Sequence, residues 1–270
     1  MSLVMQQLKE TAAYIQSKYA AVPEVGIVLG SGLGNLISEI AVEKEIAYSE
    51  LPHFPVSTVE GHPGKMILGE LKGKKVIVMA GRFHYYEGYT SQQVSYPIRV
   101  MRMLGVHTLL LSNAAGSVNP AYKVGDLMII KDHISFFTAN PLIGKNEEEI
   151  GIRFPDMSEP YSHDLIEKAK EAGKQLGYHL HEGVYTAVTG PTFETRAEYN
   201  LIKIVGGDVV GMSTVQEVIV AVHAGMKVFA VSVVTDIGIR EDDNVITHEE
   251  VLAAAKEAEP KLTALFKAIV

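Results

Sequence analysis

The sequence predicts an α/β fold in which a sheet is covered by helices, built as a single domain over residues 1–270. Three observations predict it. Short β-branched runs alternate with helical patterns from one end of the chain to the other. Most of those runs are apolar on both faces, as strands covered from both sides are. No internal repeat, low-complexity tract or Pro/Gly linker divides the chain.

In order, the pattern predicts a helix over 3–19, strands at 25–29 and 76–79, and a helix over 91–104. Strands follow at 108–111 and 126–130, then a helix over 162–177 and a strand at 184–188. A helix over 195–206, a strand at 208–210, a helix over 214–225, a strand at 228–234 and a final helix over 248–268 complete the series. Four helix starts carry a capping box, in which a Ser/Thr and a Glu/Gln three residues later satisfy two orphan N–H groups reciprocally. They are Thr90/Gln93, Thr195/Glu198, Ser213/Gln216 and Thr247/Glu250. Residues 46–66 and 133–160 read as long irregular stretches, and 238–244 as a short charged one. Loops of that length in a compact domain usually serve function.

Composition narrows the function classes. Hydrophobic residues make up 47% and charged residues 21%, ordinary globular usage that excludes a disordered chain. A net charge of −8 argues against a nucleic-acid partner, which demands basic stripes. It leaves room for a small anion in a local pocket of donors. Without cysteine the chain has neither disulfides nor thiolate metal sites, and a cytoplasmic setting is expected. The N-terminus lacks a basic n-region and the apolar runs are too short for a membrane span, so neither a signal peptide nor a membrane partner is expected.

The chemistry-bearing segments sit at strand ends, where α/β folds bind ligands. Gly30-Ser31-Gly32-Leu33-Gly34 is either a tight strand-to-helix turn or an anion nest of backbone N–H groups, with the Ser31 hydroxyl as a further donor. In the run 81–88, an extended chain would project Arg82, His84 and Tyr86 from one side. That row joins a guanidinium fork suited to phosphate, an imidazole and a phenol. Ser112-Asn113-Ala114-Ala115-Gly116 reads alone as a packing turn with backbone open to a ligand. Phe193 and Glu194 offer an aromatic plane beside a carboxylate, which suits a flat heterocycle, although Glu194 could instead complement a helix dipole. Ser213 could cap a helix or bind phosphate. Thr235-Asp236 ends the last strand, and His248 opens the last helix.

The segments GSGLG, VEGHPG, GRFHYYEGY, SNAAG, RFPDMSEPY, GPTFET, VVGMSTVQEV and THEEV together resemble the trimeric purine nucleoside phosphorylases, over essentially the whole chain. The resemblance implies a mixed, distorted central sheet surrounded by helices, and a homotrimer with sites near subunit interfaces. It implies phosphorolysis of purine ribo- and deoxyribonucleosides to free base and sugar 1-phosphate, in purine salvage. Phosphate is then a co-substrate, and no cofactor or metal is required. Carried over by position, Ser31, His62, Arg82, His84, Asn113, Ala114 and Ser213 hold phosphate. Tyr86, Met212 and His248 surround the ribose, and Phe154 reaches the neighbouring subunit's sugar site. Phe193, Glu194, Asp236 and Tyr185 serve the base, with Glu87 in support. His84, Glu194 and Asp236 carry the catalytic roles.

Two positions depart from the family pattern. Asp236 stands where enzymes of 6-oxopurines usually carry Asn, and an ionised carboxylate accepts from a 6-amino group but repels a 6-oxo group. A protonated Asp236 could donate to N7 instead. Adenosine is therefore expected beside inosine and guanosine. Gln216 replaces a usual Pro and is expected to complete a capping box. A methylthioadenosine phosphorylase is the alternative, and a non-catalytic nucleoside-binding protein is the contrasting class.

Overall fold

The computed structural model describes residues 2–31, 34–56, 63–239 and 245–270. Among them nine strands form one sheet: β1 (Val25–Leu29), β2 (Ala41–Ala47), β3 (Lys65–Leu71), β4 (Lys74–Ala80), β5 (Thr108–Ser117), β6 (Leu127–Ile134), β7 (Leu180–Ala187), β8 (Val209–Gly211) and β9 (Lys227–Ile237). Six helices surround it: α1 (Leu3–Lys18), α2 (Ser91–Met103), α3 (His163–Leu176), α4 (Arg196–Ile204), α5 (Val215–His223) and α6 (His248–Ile269). The spatial order is β2-β3-β4-β1-β5-β8-β7-β6-β9, and an extra β5–β9 pairing closes the last five strands into a ring. The sheet is mixed: β1 runs parallel to β4 and β5, whereas β2/β3, β3/β4, β5/β8 and β6/β9 are antiparallel.

β5 organises the site. Its first four residues pair with β1, its whole length with β9 and its last two residues with β8. The register against β9 jumps from Ala115–Val234 to Gly116–Asp236, leaving Thr235 as the extra residue of a bulge. Bulges re-aim the side chains beside them. Here the re-aimed residue is Asp236.

Every helix expected from the sequence is present, with ends within two residues. Two strands were not expected. β2 is an edge strand whose alternating charges lie exposed, which protects a sheet edge but hides the strand signal. β3 is buried and pairs with β4 through a two-residue turn, Lys72-Gly73, with φ of 52° and 82°. Both values are positive, as a type I′ hairpin requires. The stretch 46–66 is therefore partly strand.

Three of the four capping boxes form, at Thr90, Thr195 and Thr247. The box expected from Ser213 and Gln216 does not. Thr214 precedes α5 with φ 72° and ψ −52°, and the Val215 N–H donates to the Ser213 carbonyl at 2.8 Å. This is a γ-turn of the strained, positive-φ kind. The Ser213 hydroxyl lies 3.1 Å from that of Thr214 and is drawn away from the helix start, and Gln216 is buried without forming the box. No helix among the described residues is long and apolar enough to cross a membrane.

Candidate active site

The C-terminal ends of β1, β4, β5, β8 and β9 and the first turn of α6 surround a cavity of about 480 Å³. That volume suits a small-molecule site. Gly30 lets the end of β1 lie against β5. A Cβ there would come within 2.9 Å of the Asn113 Cα and the Ser112 carbonyl. No side chain fits.

Arg82 follows β4 and is 1% exposed. Its Nε and Nη2 donate to the two carboxylate oxygens of Glu217 at 3.1 and 2.7 Å, and Nη1 donates to the Ser112 carbonyl. A buried guanidinium needs such a partner, because desolvation otherwise outweighs what it gains. Sequence reasoning missed Glu217. The signal was a single carboxylate within the largely apolar α5.

His84 and Tyr86 do not share a face through extended backbone, as the sequence suggested. Residues Tyr85–Glu87 form one 3₁₀ turn, and the two rings stack with centroids 4.6 Å apart and planes at 14°. The His84 N–H donates to Glu87 Oε1 at 2.7 Å, and its Nδ1 lies 3.2 Å from the same oxygen. Burial pushes the imidazole below its ordinary 6.5 against the Glu87 hydrogen bond, and Arg82 pushes it further down. Burial therefore favours the neutral imidazole, whose one N–H goes from Nδ1 to Glu87 and whose Nε2 is left as an acceptor.

Ser213 is held from behind. Its N–H donates to the Tyr185 hydroxyl at 3.2 Å, and the Asn113 amide donates to Thr214 Oγ1 at 2.9 Å. The γ-turn, the Tyr185 hydroxyl and β5 thus fix where Ser213 stands. Tyr185 itself is fully buried, and burial pushes its hydroxyl up to about 12. It lies behind the cavity wall and does not line the cavity, where a residue serving the base was expected.

The second group of residues is acidic. Asp236 is 6% exposed and accepts from the Thr235 hydroxyl at 3.0 Å. Gly116 makes room for it, since a Cβ there would fall 2.6 Å from Asp236 Oδ2. Burial raises the Glu194 carboxyl above its ordinary value, and the negative charge of Asp236 adds to the rise. Phe193 stands beside Glu194, partly exposed at the cavity wall.

The cavity gathers Ser31, Arg82, His84, Asn113, Ala114 and Ser213 with Tyr86, Met212 and His248, and with Phe193, Glu194 and Asp236. Glu87 lines it as well. Two expected residues are elsewhere: Tyr185 behind the wall, and Phe154 at 84% exposure with the Arg153 guanidinium 5.4 Å from its ring. His62 lies outside the described residues. Besides Glu217, sequence reasoning missed Thr214 as the turn beneath Ser213 and Thr235 as the hydroxyl on Asp236; a β-branched residue at positive φ leaves no sequence signal. No group of three or more His, Asp or Glu among the described residues is placed to hold a metal ion.

The family model of the phosphorylase superfamily matches residues 24–270. Purine nucleoside phosphorylase 1 of Geobacillus stearothermophilus is 49% identical, over 97% of this chain and 96% of that protein. The purine nucleoside phosphorylase of Bos taurus is 47% identical, over 95% of this chain and 91% of its own length. The crystal structure of the Schistosoma mansoni purine nucleoside phosphorylase in complex with adenosine superposes with a TM-score of 0.93 at 44% identity, covering 98% of this chain and 96% of that one. Isoform 2 from the same organism, in complex with cytosine and ribose-1-phosphate, also gives 0.93 at 44% identity. By the family match over 24–270 and by relatives 47–49% identical over nearly its whole length, the chain belongs to the phosphorylase superfamily and, within it, to the purine nucleoside phosphorylases.

Proposed function

We propose that this protein cleaves purine nucleosides with inorganic phosphate, releasing the free base and ribose or deoxyribose 1-phosphate. One observation carries the reading: anion donors and carboxylates share a single cavity at opposite stations along β5. Arg82 meets β5 at Ser112 and Asp236 meets it at Gly116. Four residues of strand at about 3.3 Å each separate them by roughly 13 Å. That span leaves room for a pentose between a phosphate and a base.

In this reading Ser31, Asn113, the backbone at Ala114, Ser213 and the outer edge of the Arg82 fork hold the phosphate, and His84 Nε2 accepts from a protonated phosphate oxygen. His62 belongs to the same group by its motif. Tyr86, Met212 and His248 flank the sugar, and Phe193 stacks on the base while Glu194 and Asp236 address its edge. One phosphate oxygen bonds to the anomeric carbon as the bond from that carbon to the base nitrogen breaks. The electron pair of the broken bond leaves with the base, which takes up a proton. A protonated acid at Asp236 or Glu194 would supply that proton, and the raised Glu194 carboxyl favours the protonated form. Positioning supplies much of the rate and the charge of the phosphate steadies the cationic sugar. No cofactor enters the scheme.

The proposal extends to specificity, assembly and setting. Asp236 would accept from a 6-amino group, so adenosine joins inosine and guanosine as a substrate, in keeping with a 44% identical relative crystallised with adenosine. A polar residue, His248, faces the 5′ end of the sugar and disfavours a methylthio group there. A homotrimer would give the exposed Phe154 a neighbouring sugar site to cover, the reaction would serve purine salvage, and the absence of cysteine fits a cytoplasmic setting. Release of hypoxanthine from inosine that requires phosphate tests the central claim. Release without phosphate would mean a hydrolase, and tight nucleoside binding without release would mean a carrier. A monomer mass by light scattering would refute the trimer.

A further inference from the structure

A second cavity, of about 470 Å³, lies between α1, α2, the 141–147 loop and the end of α5. It shares no lining residue with the active-site cavity. Its wall is apolar at Tyr96 and Leu142 and carries Gln7, Lys145, His223 and Arg99.

Arg99 is the unusual member. It sits in the interior of α2, its Nη1 is fully buried, and that atom has no hydrogen-bond acceptor among the described residues. Glu147, also on the wall, attracts it electrostatically but makes no ion pair with it, and burial weighs against its charge. The carboxylate nearest in sequence to the other side of the cavity, Glu10, is already held by His53 at 2.6 Å. His223 Nε2 is held by the Asn146 amide oxygen at 3.1 Å, while its Nδ1 is buried with no hydrogen-bond partner among the described residues. A guanidinium has five donors and no acceptor, and it stays protonated in proteins. Buried polar groups almost always find partners, and a guanidinium nitrogen buried without one can take an oxygen of an oxyanion. Its planar fork matches carboxylate and phosphate oxygens two at a time.

We propose that this cavity is a second ligand site, for a small organic anion whose carboxylate or phosphate pairs with Arg99 and whose apolar body lies against Tyr96 and Leu142. Lys145, exposed at the rim, adds positive charge at the entrance. The cavity is large enough for a ring or a short carbon chain beyond the anionic group. The site stands apart from the phosphorolysis reading and does not depend on it.

The test uses the full chain in its native assembly. Benzoate and phenyl phosphate are titrated by calorimetry into wild type, Arg99→Gln and Leu142→Trp, the last filling the cavity while keeping the charge. One of the two anions should bind once per chain to wild type, without competing with inorganic phosphate for turnover. Which of them binds distinguishes a carboxylate site from a phosphate site. Both variants should weaken that binding about tenfold or more and leave turnover at saturating phosphate within about twofold. Arg99→Gln should melt no lower than wild type without the anion, because it removes a buried donor that has no acceptor; a merely structural arginine would lower it. Equal binding in all three proteins, binding of neither anion, or dispersal of the native assembly by Arg99→Gln would each overturn the proposal. The last result would mean that another copy of the chain covers Arg99.

Discussion

Replacing Glu217 by Gln should destabilise the protein more than any surface change, and the structure sets the size. Glu217 and Arg82 are 2% and 1% exposed and joined by two hydrogen bonds, at 3.1 and 2.7 Å. Removing the charge of one partner from a buried pair costs about 3–5 kcal/mol, because the other charge stays desolvated. Glutamine keeps the shape and one acceptor, so the lower end, about 3 kcal/mol, is expected. For a chain of this length each kcal/mol moves the melting temperature by about 2–4 °C, a fall of roughly 6–12 °C. Urea denaturation at fixed protein concentration measures it directly. Inorganic phosphate should then restore more stability to Glu217→Gln than to wild type, since the ligand becomes the guanidinium's main counter-charge. A loss under about 1 kcal/mol would show that the pair is not what keeps Arg82 buried.

Other predictions follow from the same geometry. Asp236→Asn should lower adenosine turnover relative to inosine by about tenfold or more, as one misdirected buried hydrogen bond implies; absent adenosine turnover in wild type would refute the specificity reading. Gly116→Ala places a Cβ 2.6 Å from Asp236 Oδ2, so the carboxylate must move. Nucleoside turnover should fall sharply, while circular dichroism and the urea midpoint change little, and unaltered kinetics would contradict the assigned role. His84, His133 and His223 are each held below 6.5, by burial first. The unfolded chain therefore binds more protons than the native one as pH drops below 6.5, and this share of stability, complete above that value, is lost down through the lower native values. The urea midpoint should decline over that window, less steeply in His133→Asn; an equal slope in the variant would count against the assignment.

The sequence was readable where one local rule decides the outcome. Helix ends follow from Thr90, Thr195 and Thr247, whose caps need only residues three apart. Buried strands such as β5 and β9 announce themselves by continuous apolar runs. β2 did not, because an edge strand carries charges on the faces where a pattern would be sought. At the site, hydroxyls, guanidinium and carboxylates were visible as types at strand ends. Their supports were not. Glu217 is 135 residues from Arg82 and Thr214 is 101 from Asn113, so only the folded chain brings either pair together. Tyr185 makes the same point: a motif position near the site in sequence stands behind it in space, where its hydroxyl accepts from the Ser213 N–H.

The γ-turn at Thr214 has a kinetic corollary. Its strain, of about 1–3 kcal/mol, is held by protein groups, the Tyr185 hydroxyl and the Asn113 amide, which are in place once the chain folds. An anion arriving at Ser213 then waits for no rearrangement of this turn. Mixing experiments should show one exponential phase whose rate rises linearly with phosphate concentration, the signature of a lock that is already cut.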